Sequence, residues 1–584
     1  MFKAIILALL VSNLAAKNLY VSPSGSDASS GATPATALAT IAGALSKAEP
    51  GDQIRLLPGI YLGTQKIWSV HGLPERPITI MSDAADSSLF AIIDGGAQPA
   101  LDINNWGLWF DSASWIEVKN LKFQNCWTDV VVMERVSYIS FIGCHFSGGR
   151  RVIYPKGNNC HHFLVEGCYW EQDERVYTTY DWDEMHHGSL AYYNGGLFGA
   201  KGIGGGFVIR NNVIKNVFNG IRFTGEKTNP RQNANGEIYG NILINSRDNA
   251  FEPEDVCSNL HFYHNILINS HAHISIDMVR GGPIYFYGNI GYQTEDRGHE
   301  WTIFKFPGYE TGKTPAPLDA PFYVFNNSWF VPFDAFGGST SQYRNHHLRH
   351  FNNAYFFTTS GDLGLQFWGE DYELDYDCST TEFPYLVLFK SQESHGIVAD
   401  PMFIDKANGD FRLATNSPCI DAGTVMNFPE FDWRQTYQGA APDIGAYEGE
   451  ALVAGPPFRF QQTPGGCYYA EKPRIVRHKI SGGQLTLYFS EELDPASVTS
   501  QSIHLSQDGS LIPITDISFP NNDYELQIAA GKELDEARLS LRLDPLPLGK
   551  NGETATHWAA TIPMAKDEAI SAVRASESKN LGDA

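Results

Sequence analysis

Apolar and polar residues alternate in short runs between residues 207 and 290, and the same phrase returns from run to run. The clearest runs are residues 208–214, 238–244 and 262–268. One asparagine keeps its place in each phrase and in the next: Asn212, Asn241, Asn265 and Asn289, at separations of 29, 24 and 24 residues. A fixed period of this length predicts stacked structural repeats. Each unit is too short to bury its own apolar face, so neighbouring units must cover one another.

The repeat continues on both sides of this stretch. Asn327 and Asn353 extend it downstream, and Leu121, Cys144 and Cys168 fill the same position upstream. Short alternating runs between Asn and Gly corners, without helical periodicity, predict one coil of a β-solenoid per repeat. A propeller is the alternative all-β repeat, but its blades are nearer ~40 residues long.

This pattern resembles the right-handed parallel β-helix superfamily, the pectate-lyase-like fold of secreted bacterial polysaccharide-active enzymes, whose stacked corner asparagines bond from coil to coil. Residues 20–27 and 37–61 look like the N-terminal cap of such proteins, and residues 397–448 look like their closing segment. The resemblance implies an all-β chain with a right-handed solenoid and a polysaccharide substrate. The resemblance does not identify the reaction.

The two ends of the chain do not follow the repeat. Residues 1–16 combine Lys3 with an apolar run and small residues, which predicts a signal peptide and a secreted or periplasmic protein. We assign residues 17–454 to the β-helix with its cap, 455–470 to a linker and 566–584 to a disordered tail. Residues 471–565 alternate at period two, which predicts a small β-sandwich. Their phrasing resembles a bacterial Ig-like domain.

The net charge excludes some classes of partner, and the cysteine spacings bear on disulfides and metal sites. The net charge of −24 argues against nucleic acid and anionic membranes, since a phosphate backbone requires a basic face. The β-helix resemblance implies a polysaccharide partner, and we expect a monomeric protein. Among the eight cysteines, Cys144 and Cys168 share the repeat position one coil apart, so either a disulfide or two buried thiols fits. The cysteine spacings do not match a structural zinc site.

Two insertions interrupt the repeat, at residues 171–206 and 294–321. Extra length in a repeat protein goes to surface loops, often on the binding side. The first insertion carries a Gly-rich run at residues 195–206 and a segment rich in aromatic, acidic and imidazole side chains. That segment contains Tyr180, Asp181, Trp182, Asp183, His186 and His187.

The strands that follow the repeated asparagines align if a one-residue bulge precedes Phe251. Alternation then turns Ile221, Phe251, Ile274 and Ile276 inward. The outward side chains form one charged patch: Arg222, Thr224, Glu252, Glu254, Ser275 and Asp277, with Lys305 one coil further on. Carboxylates flanked by cations can have their pKa values split apart, as general acid and base catalysis requires. Glu252, Glu254 and Asp277 are therefore the predicted catalytic carboxylates.

Strand geometry bears on the reaction type. Residues i and i+2 lie ~6.6 Å apart and adjacent coils ~4.8 Å apart, whereas inverting glycosidases hold their carboxyls ~6.5–9.5 Å apart and retaining ones ~5–5.5 Å. Glu252 with Glu254 would suit inversion, and Glu254 with Asp277 would suit retention. The structural alternatives are a salt-bridge ladder with Arg222 and Lys305, or a Ca²⁺ site at Glu252, Glu254 and Asp255. No other cofactor is expected.

The first insertion supports a second reaction. Tyr180 and His187 can serve as base and acid in β-elimination at a uronate, while Arg222, Arg280 and Lys305 neutralise the substrate carboxylate. The remaining polar residues of the segment, Asp181, Trp182, Asp183 and His186, are predicted substrate contacts. Because the chain lacks the lyase signatures of stacked Asp pairs and Lys/Arg motifs, the sequence favours a glycoside hydrolase over a polysaccharide lyase. A non-catalytic glycan-binding protein is the third interpretation.

Overall fold

The structure is a computed structural model of the 584-residue chain. It describes residues 16–543 except 97, 101–103, 226–231, 277, 296, 300–301, 307–320, 339–347, 359–371, 383–391, 429–432, 456–459, 463–467, 471–474, 490–492, 521–524 and 535–538. The predicted signal peptide and C-terminal tail lie almost wholly outside these residues. No helix among the described segments is long and apolar enough to span a membrane.

A parallel β-solenoid forms the main body, as the repeat predicts. Its strands stack in three parallel columns, here named sheets 1, 2 and 3 in the order in which a coil visits them. Sheet 1 contains Gln65–Trp68, the first part of Leu108–Lys119, the first part of Asp129–Ile142, Arg151–Lys156, Phe198–Lys201, Ile221–Thr224, the ends of Ile242–Pro253 and Ile266–Ser275, Thr302–Phe306 and Phe336–Gly338.

The other two columns complete each coil. Sheet 2 contains Asn18–Val21, Gln53–Leu56, Ile78–Ser82, the ends of Leu108–Lys119 and Asp129–Ile142, His161–Glu166, Gly205–Arg210, Ala234–Tyr239, Asp255–Tyr263, Ile284–Tyr287, Phe322–Phe325, Leu348–Phe351 and Tyr372–Asp375. Met278–Gly281 pairs with the start of Asp255–Tyr263. Sheet 3 contains Ile60–Leu62, Ile92–Asp94, Lys122–Gln124, His145–Ser147, Tyr169–Glu171, Val213–Val217, the starts of Ile242–Pro253 and Ile266–Ser275, Ile290–Tyr292, Ser328–Val331, Ala354–Phe357, Cys378–Ser379 and Ile397–Val398.

The predicted asparagine column lies at the corner between sheets 2 and 3, and it is fully buried. From Asn241 onward, each side-chain oxygen accepts two hydrogen bonds from the asparagine one coil earlier: Asn241 Oδ1 lies 3.1 Å from the backbone nitrogen of Asn212 and 2.9 Å from its Nδ2. The same Nδ2 donates to the carbonyl of Val165, 3.0 Å away. This pattern continues through Asn265, Asn289, Asn327 and Asn353. Because buried amides must be satisfied, the column fixes the register of the coils.

The upstream end of the column is made of thiols. Cys144 and Cys168 are buried and unbridged, and the carbonyl of Cys144 accepts the backbone N–H of Tyr169 at 2.9 Å, which places the two cysteines on adjacent coils. The two thiols lie close enough to interact. Of the two arrangements that the sequence allows, the structure has the pair of buried thiols.

The first insertion is mostly helical. It contains the helices Glu174–Thr178 and Trp182–His186 and the 3₁₀ turn Ala191–Tyr193. The Gly-rich run does not belong to it, which corrects the sequence-based boundary at residue 206. Phe198–Lys201 is a strand of sheet 1, and glycine suits it because a Cβ on Gly199 would come within 2.9 Å of the Arg151 side chain.

Smaller elements frame the solenoid. The cap contains the helix Ile41–Leu45, as expected, and the 3₁₀ turn Pro34–Thr36. The closing segment packs beside sheet 3, where Phe403, Phe411 and Ile444 share a buried cluster with Ile290 and Tyr292. Other short elements are the 3₁₀ turns Ser87–Leu89, Lys406–Asn408 and Pro495–Ser497, and the antiparallel pairs Phe403–Asp405 with Asp410–Leu413, Asn427–Phe428 with Trp433–Arg434, Tyr447–Glu448 with Ala451–Leu452 and Phe460–Gln462 with Tyr468–Ala470.

The C-terminal part forms two antiparallel sheets around one core, which agrees with the predicted β-sandwich. One sheet contains Ile475–Ser481, Gln484–Phe489, Glu525–Ala530 and Ile514–Ser518, and the other contains Ser510–Leu511, Ile503–Gln507 and Leu539–Leu543. Leu487 and Ile528 of the first sheet share a buried cluster with Leu505 and Leu541 of the second.

Candidate active site

The outward residues of sheet 1 come together as the alignment predicts. Arg222 pairs in register with Glu252, and Ser275 pairs with Lys305. The bulge lies between Ser246 and Asn249, ahead of Phe251. Ile221, Phe251, Ile274 and Ile276 are buried in the solenoid core. Sheet 1 therefore presents these charged side chains side by side on its outer surface, on successive coils.

Arg222 is the centre of the cluster. Its Nε lies 3.0 Å from Glu252 Oε2 and its Nη2 lies 3.0 Å from Glu254 Oε2. Its Nη1 donates to Asn194 Oδ1 at 2.5 Å. One guanidinium therefore holds two carboxylates and a side chain of the insertion at once, an arrangement that its fixed fork of donors makes specific.

Glu252 corrects one expectation. The sequence predicts that it faces solvent, but the residue is only 4 % exposed. Burial raises the pKa of the Glu252 carboxyl well above its usual range; Arg222 opposes this shift, and Glu254 and Asp248 add to it. Glu252 and Glu254 are close enough to hydrogen-bond to each other. Both carboxylates bind the same guanidinium, and the choice between inversion and retention stays a prediction.

The insertion contributes His186 to the cluster. Its ring stacks on Trp182 with centroids 4.4 Å apart. Burial lowers the pKa of His186, and the positive charges of Lys305 and Arg222 act in the same direction, while Asp248 opposes them. The imidazole is therefore neutral near pH 7, and it lies within electrostatic reach of both cations.

Several buried polar atoms of the cluster lack hydrogen-bond partners among the described residues. They are Arg222 Nε, Asp248 Oδ1, Asn249 Oδ1, Glu252 Oε2 and Ser275 Oγ. Arg222 Nε and Glu252 Oε2 form an ion pair whose geometry is not that of a hydrogen bond. Buried polar atoms in folded proteins are generally paired, so a concentration of unpaired ones is typical of a site built for a ligand or a reaction.

Asp248 is the residue that sequence reasoning missed. It is 1 % exposed, and its charge acts on Arg222, Glu252, His186 and His271. It lies inside the bulge, where strict alternation gives no orientation. The bulge itself was the available signal, since bulges often redirect a side chain beside an active site.

Other contributors to the site come from segments that the pattern does not mark. Asn194 also accepts from Asn219 Nδ2 at 3.2 Å, and Arg150 donates from Nε to the Asn194 carbonyl at 2.7 Å. Burial lowers the pKa of Arg150, and the positive charges of Arg151 and Arg222 act in the same direction. His271, like His186, has a pKa lowered by burial.

The remaining predicted residues of the insertion are distributed differently. Asp181 caps the helix Trp182–His186, where its Oδ1 accepts the N–H groups of Asp183 and Glu184 at 3.0 and 3.2 Å. Tyr180 packs against Tyr193 and under the guanidinium of Arg175. Asp183 and His187 are exposed. Asp181 is therefore a helix cap, and its predicted substrate contact stays a prediction.

Three predictions are limited by what the structure describes. Asp277 lies outside the described residues, and so does the side chain of Arg280. The Ca²⁺ alternative stays a prediction: Glu252 and Glu254 face Arg222, and Asp255 Oδ2 accepts the N–H of Gly225 at 2.9 Å. The salt-bridge alternative describes the contacts of Arg222 well, but it leaves the unpaired atoms unexplained.

The described chain is thus an all-β parallel β-helix protein with a charged cluster on sheet 1. No protein-family model matches it, and no curated protein matches it. Solved structures similar to it include pectate lyase Pel9A, at 15 % identity and a TM-score of 0.40 over 75 % of this chain and 98 % of that one. The GH136 lacto-N-biosidase from Eubacterium ramulus is 12 % identical with a TM-score of 0.39, covering 61 % and 67 % of the respective chains. The PL6 family alginate lyase AlyGC is 12 % identical with a TM-score of 0.41, covering 68 % and 57 %. Likenesses at these values support no statement about the activity of this chain.

Proposed function

We propose that the protein is an enzyme that cleaves a polysaccharide at the cluster around Arg222. The observation that carries the proposal is that the carboxyl of Glu252 and the imidazole of His186, whose pKa values are shifted in opposite directions, lie near the same cation, Arg222. Burial raises the pKa of Glu252 and lowers that of His186, and both shifts favour the uncharged forms, a carboxylic acid and an imidazole base. Environments that push the pKa values of neighbouring groups apart are how acid and base roles are assigned.

The reaction that fits this set best is β-elimination in a uronate-containing chain. His186 takes the proton from C5 of the uronate, and the electrons of that bond form the C4–C5 double bond. The C4–O4 bond breaks, and the leaving oxygen takes the proton of Glu252, relayed through the more exposed Glu254. Arg222 and Lys305 stabilise the charge that develops on the substrate carboxylate.

Hydrolysis is the second candidate, and the raised pKa of Glu252 favours it. In that reaction Glu252 protonates the glycosidic oxygen and Asp248 activates the water. Elimination takes precedence here over the hydrolase that the sequence favours, because the imidazole of His186 lies within the field of Lys305 and Arg222, the cations that would hold a uronate carboxylate.

The cellular location follows from the proposed substrate and from residues 1–16. An exported enzyme meets polysaccharides outside the cytoplasm, and the apolar run with small residues before Lys17 is typical of a signal peptide. We propose that the protein acts outside the cytoplasm, on a chain held along the outer surface of sheet 1.

A glycan panel tests the proposal. The purified protein is incubated with uronate-containing and neutral polysaccharides while ultraviolet absorbance and reducing ends are followed. We expect unsaturated uronate products. Reducing ends without unsaturated products would favour hydrolysis. The absence of both products on every glycan would contradict the proposal that the protein is an enzyme.

Two adjacent histidines provide a matched pair of variants. We expect His186→Ala to lower turnover by about 10²–10⁴-fold, the range of general acid–base catalysis. His187→Ala alters an exposed neighbour on the same short segment and should leave most activity. The reverse ranking would show that the base is not His186.

A further inference from the structure

The asparagine column ends at a carboxylate. Asp377 occupies the position one coil after Asn353, and its Oδ1 accepts the backbone N–H of Asn353 at 2.7 Å and its Nδ2 at 3.1 Å. An asparagine would serve that role equally well, as it does in the preceding coils. The charge of Asp377 is therefore not required by the column.

Two further ligand-type side chains lie beside Asp377. His350 Nδ1 lies 2.5 Å from Asp377 Oδ2, and the backbone N–H of Asp377 donates to Glu393 Oε2 at 3.2 Å. His350 and Asp377 are fully buried, and Glu393 is 5 % exposed. One potential ligand atom from each residue lies within 4.8 Å of the others.

The outer atoms of two of the three residues, His350 and Asp377, are already held in place. His350 Nε2 lies 2.7 Å from the Tyr355 hydroxyl, and Asp377 Oδ1 is held by Asn353. These contacts orient Nδ1 of His350 and Oδ2 of Asp377 toward each other. Metal-binding histidines and carboxylates are held in this way by second partners, which fix the ring and the carboxylate orientation.

The charge balance of the cluster points to a cation. Two buried carboxylates face one imidazole. A buried charge is costly unless it is paired or coordinates a metal. A divalent ion would neutralise both carboxylates with the imidazole left uncharged.

We propose that His350, Asp377 and Glu393 bind one divalent transition-metal ion of the Zn²⁺ class, which ties the last coils of the solenoid together. Imidazole and carboxylate ligands suit this class. With bonds of about 2.0–2.2 Å to the ion, neighbouring ligand atoms lie roughly 3.3 Å apart. His350 Nδ1 and Asp377 Oδ2 would therefore separate by less than about 1 Å as the ion replaces the proton between them.

Metal binding to the full-length protein tests this site. After dialysis against a chelator, the protein is titrated with ZnCl₂ alone, and bound metal and thermal unfolding are measured. We expect one equivalent of tightly bound Zn²⁺ and a Tm that rises with its concentration, because a ligand of the native state stabilises it. A protein that binds no ion, with a Tm indifferent to Zn²⁺ and chelator, would overturn the proposal.

Asp377→Asn is the decisive variant, because the amide keeps the hydrogen bonds of the column while it removes a carboxylate ligand. We expect it to fold and to bind Zn²⁺ at least about 100-fold more weakly, beyond the usual effect of losing a second partner. Glu393→Gln should give the same loss. Asp375→Asn, on the same coil but paired with His395 at 2.8 Å, is the control and should bind normally. Equal binding by Asp377→Asn and the control would refute the assignment.

Discussion

The asparagine column and the Arg222 cluster are both rows of polar side chains that cross several coils, yet they differ in how their atoms are satisfied. In the column, Asn265 Oδ1 accepts two hydrogen bonds and its Nδ2 donates to Ile238 and Asn289, all at 3.0 Å or less. In the cluster, buried oxygens of Asp248, Asn249 and Ser275 have no partner among the described residues.

The difference distinguishes polar side chains that stabilise the fold from polar side chains that serve a reaction. A fully paired row stabilises the fold and specifies its register, because each group would be costly if left alone. A row with unpaired atoms and shifted pKa values costs stability, and such sites persist where activity requires them. Changes in the column should therefore affect folding, whereas changes in the cluster should affect turnover.

The largest expected effect is on folding, from Asn265→Leu. The change removes four hydrogen bonds, so the backbone N–H of Asn241 and one N–H of its side chain lose their acceptor and the carbonyl of Ile238 loses its side-chain donor. At about 1–3 kcal/mol for each unsatisfied group, the free energy of unfolding should fall by roughly 4–6 kcal/mol. Denaturant unfolding measures it.

A half-buried asparagine is the control for this change. Asn245 bonds to Asn216 at 2.8 Å and to Asn269 at 3.1 Å, and its φ of 64° makes glycine the suitable replacement. Asn245→Gly should cost less than half as much as Asn265→Leu. Equal losses would mean that the buried column has no special role in stability.

A smaller loss is expected from Arg222→Met. Removing the guanidinium leaves Glu252 and Glu254 without their cation, and the free energy of unfolding should fall by about 2–4 kcal/mol. The loss is not larger because Glu252 can take up a proton. Turnover should fall by more than about 10²-fold at the same time. Arg210→Met is the matched control: Arg210 is similarly exposed and pairs with Glu166 at 2.8 Å on sheet 2. It should cost at most about 1 kcal/mol and leave turnover intact.

The pH dependence of activity gives the next test. His186 must be neutral and Glu252 protonated, so kcat/KM should be bell-shaped. Because the pKa of His186 is lowered, the rising limb should lie below the ordinary histidine value of 6.5. Because the pKa of Glu252 is raised, the falling limb should lie above the ordinary value of 4.5. A rate that rises steadily through pH 6.5 would contradict the neutral histidine.

The smallest effect concerns the thiol end of the column. Cys144 and Cys168 are unbridged, so a reductant should leave the Tm unchanged. A clear fall in Tm on reduction, traced to these residues by Cys168→Ser, would show that a disulfide continues the column there.

Much of the fold could be predicted because solenoid geometry repeats in the sequence. The spacing of Asn212, Asn241 and Asn265 predicted the column, and strand alternation predicted the register of Arg222 with Glu252. Loop length placed the insertion beside this face, but the burial of Glu252 could not be predicted, because alternation distinguishes inward from outward and not how deeply an outward residue is covered. Glu252 was therefore expected in solvent, and Asp248, inside the bulge, was missed.

The most direct test of the account is the paired effect of Glu252→Gln on turnover and on stability. The pKa of Glu252 is raised in the folded protein, so the stability it contributes is fully present below about pH 4.5 and is lost as the pH rises through its folded pKa. The neutral variant escapes that loss. At pH 7 we expect turnover to fall by about 10²–10⁴-fold, with a free energy of unfolding equal to or above that of the native protein. Retained turnover with reduced stability would make Glu252 a structural residue and contradict the account.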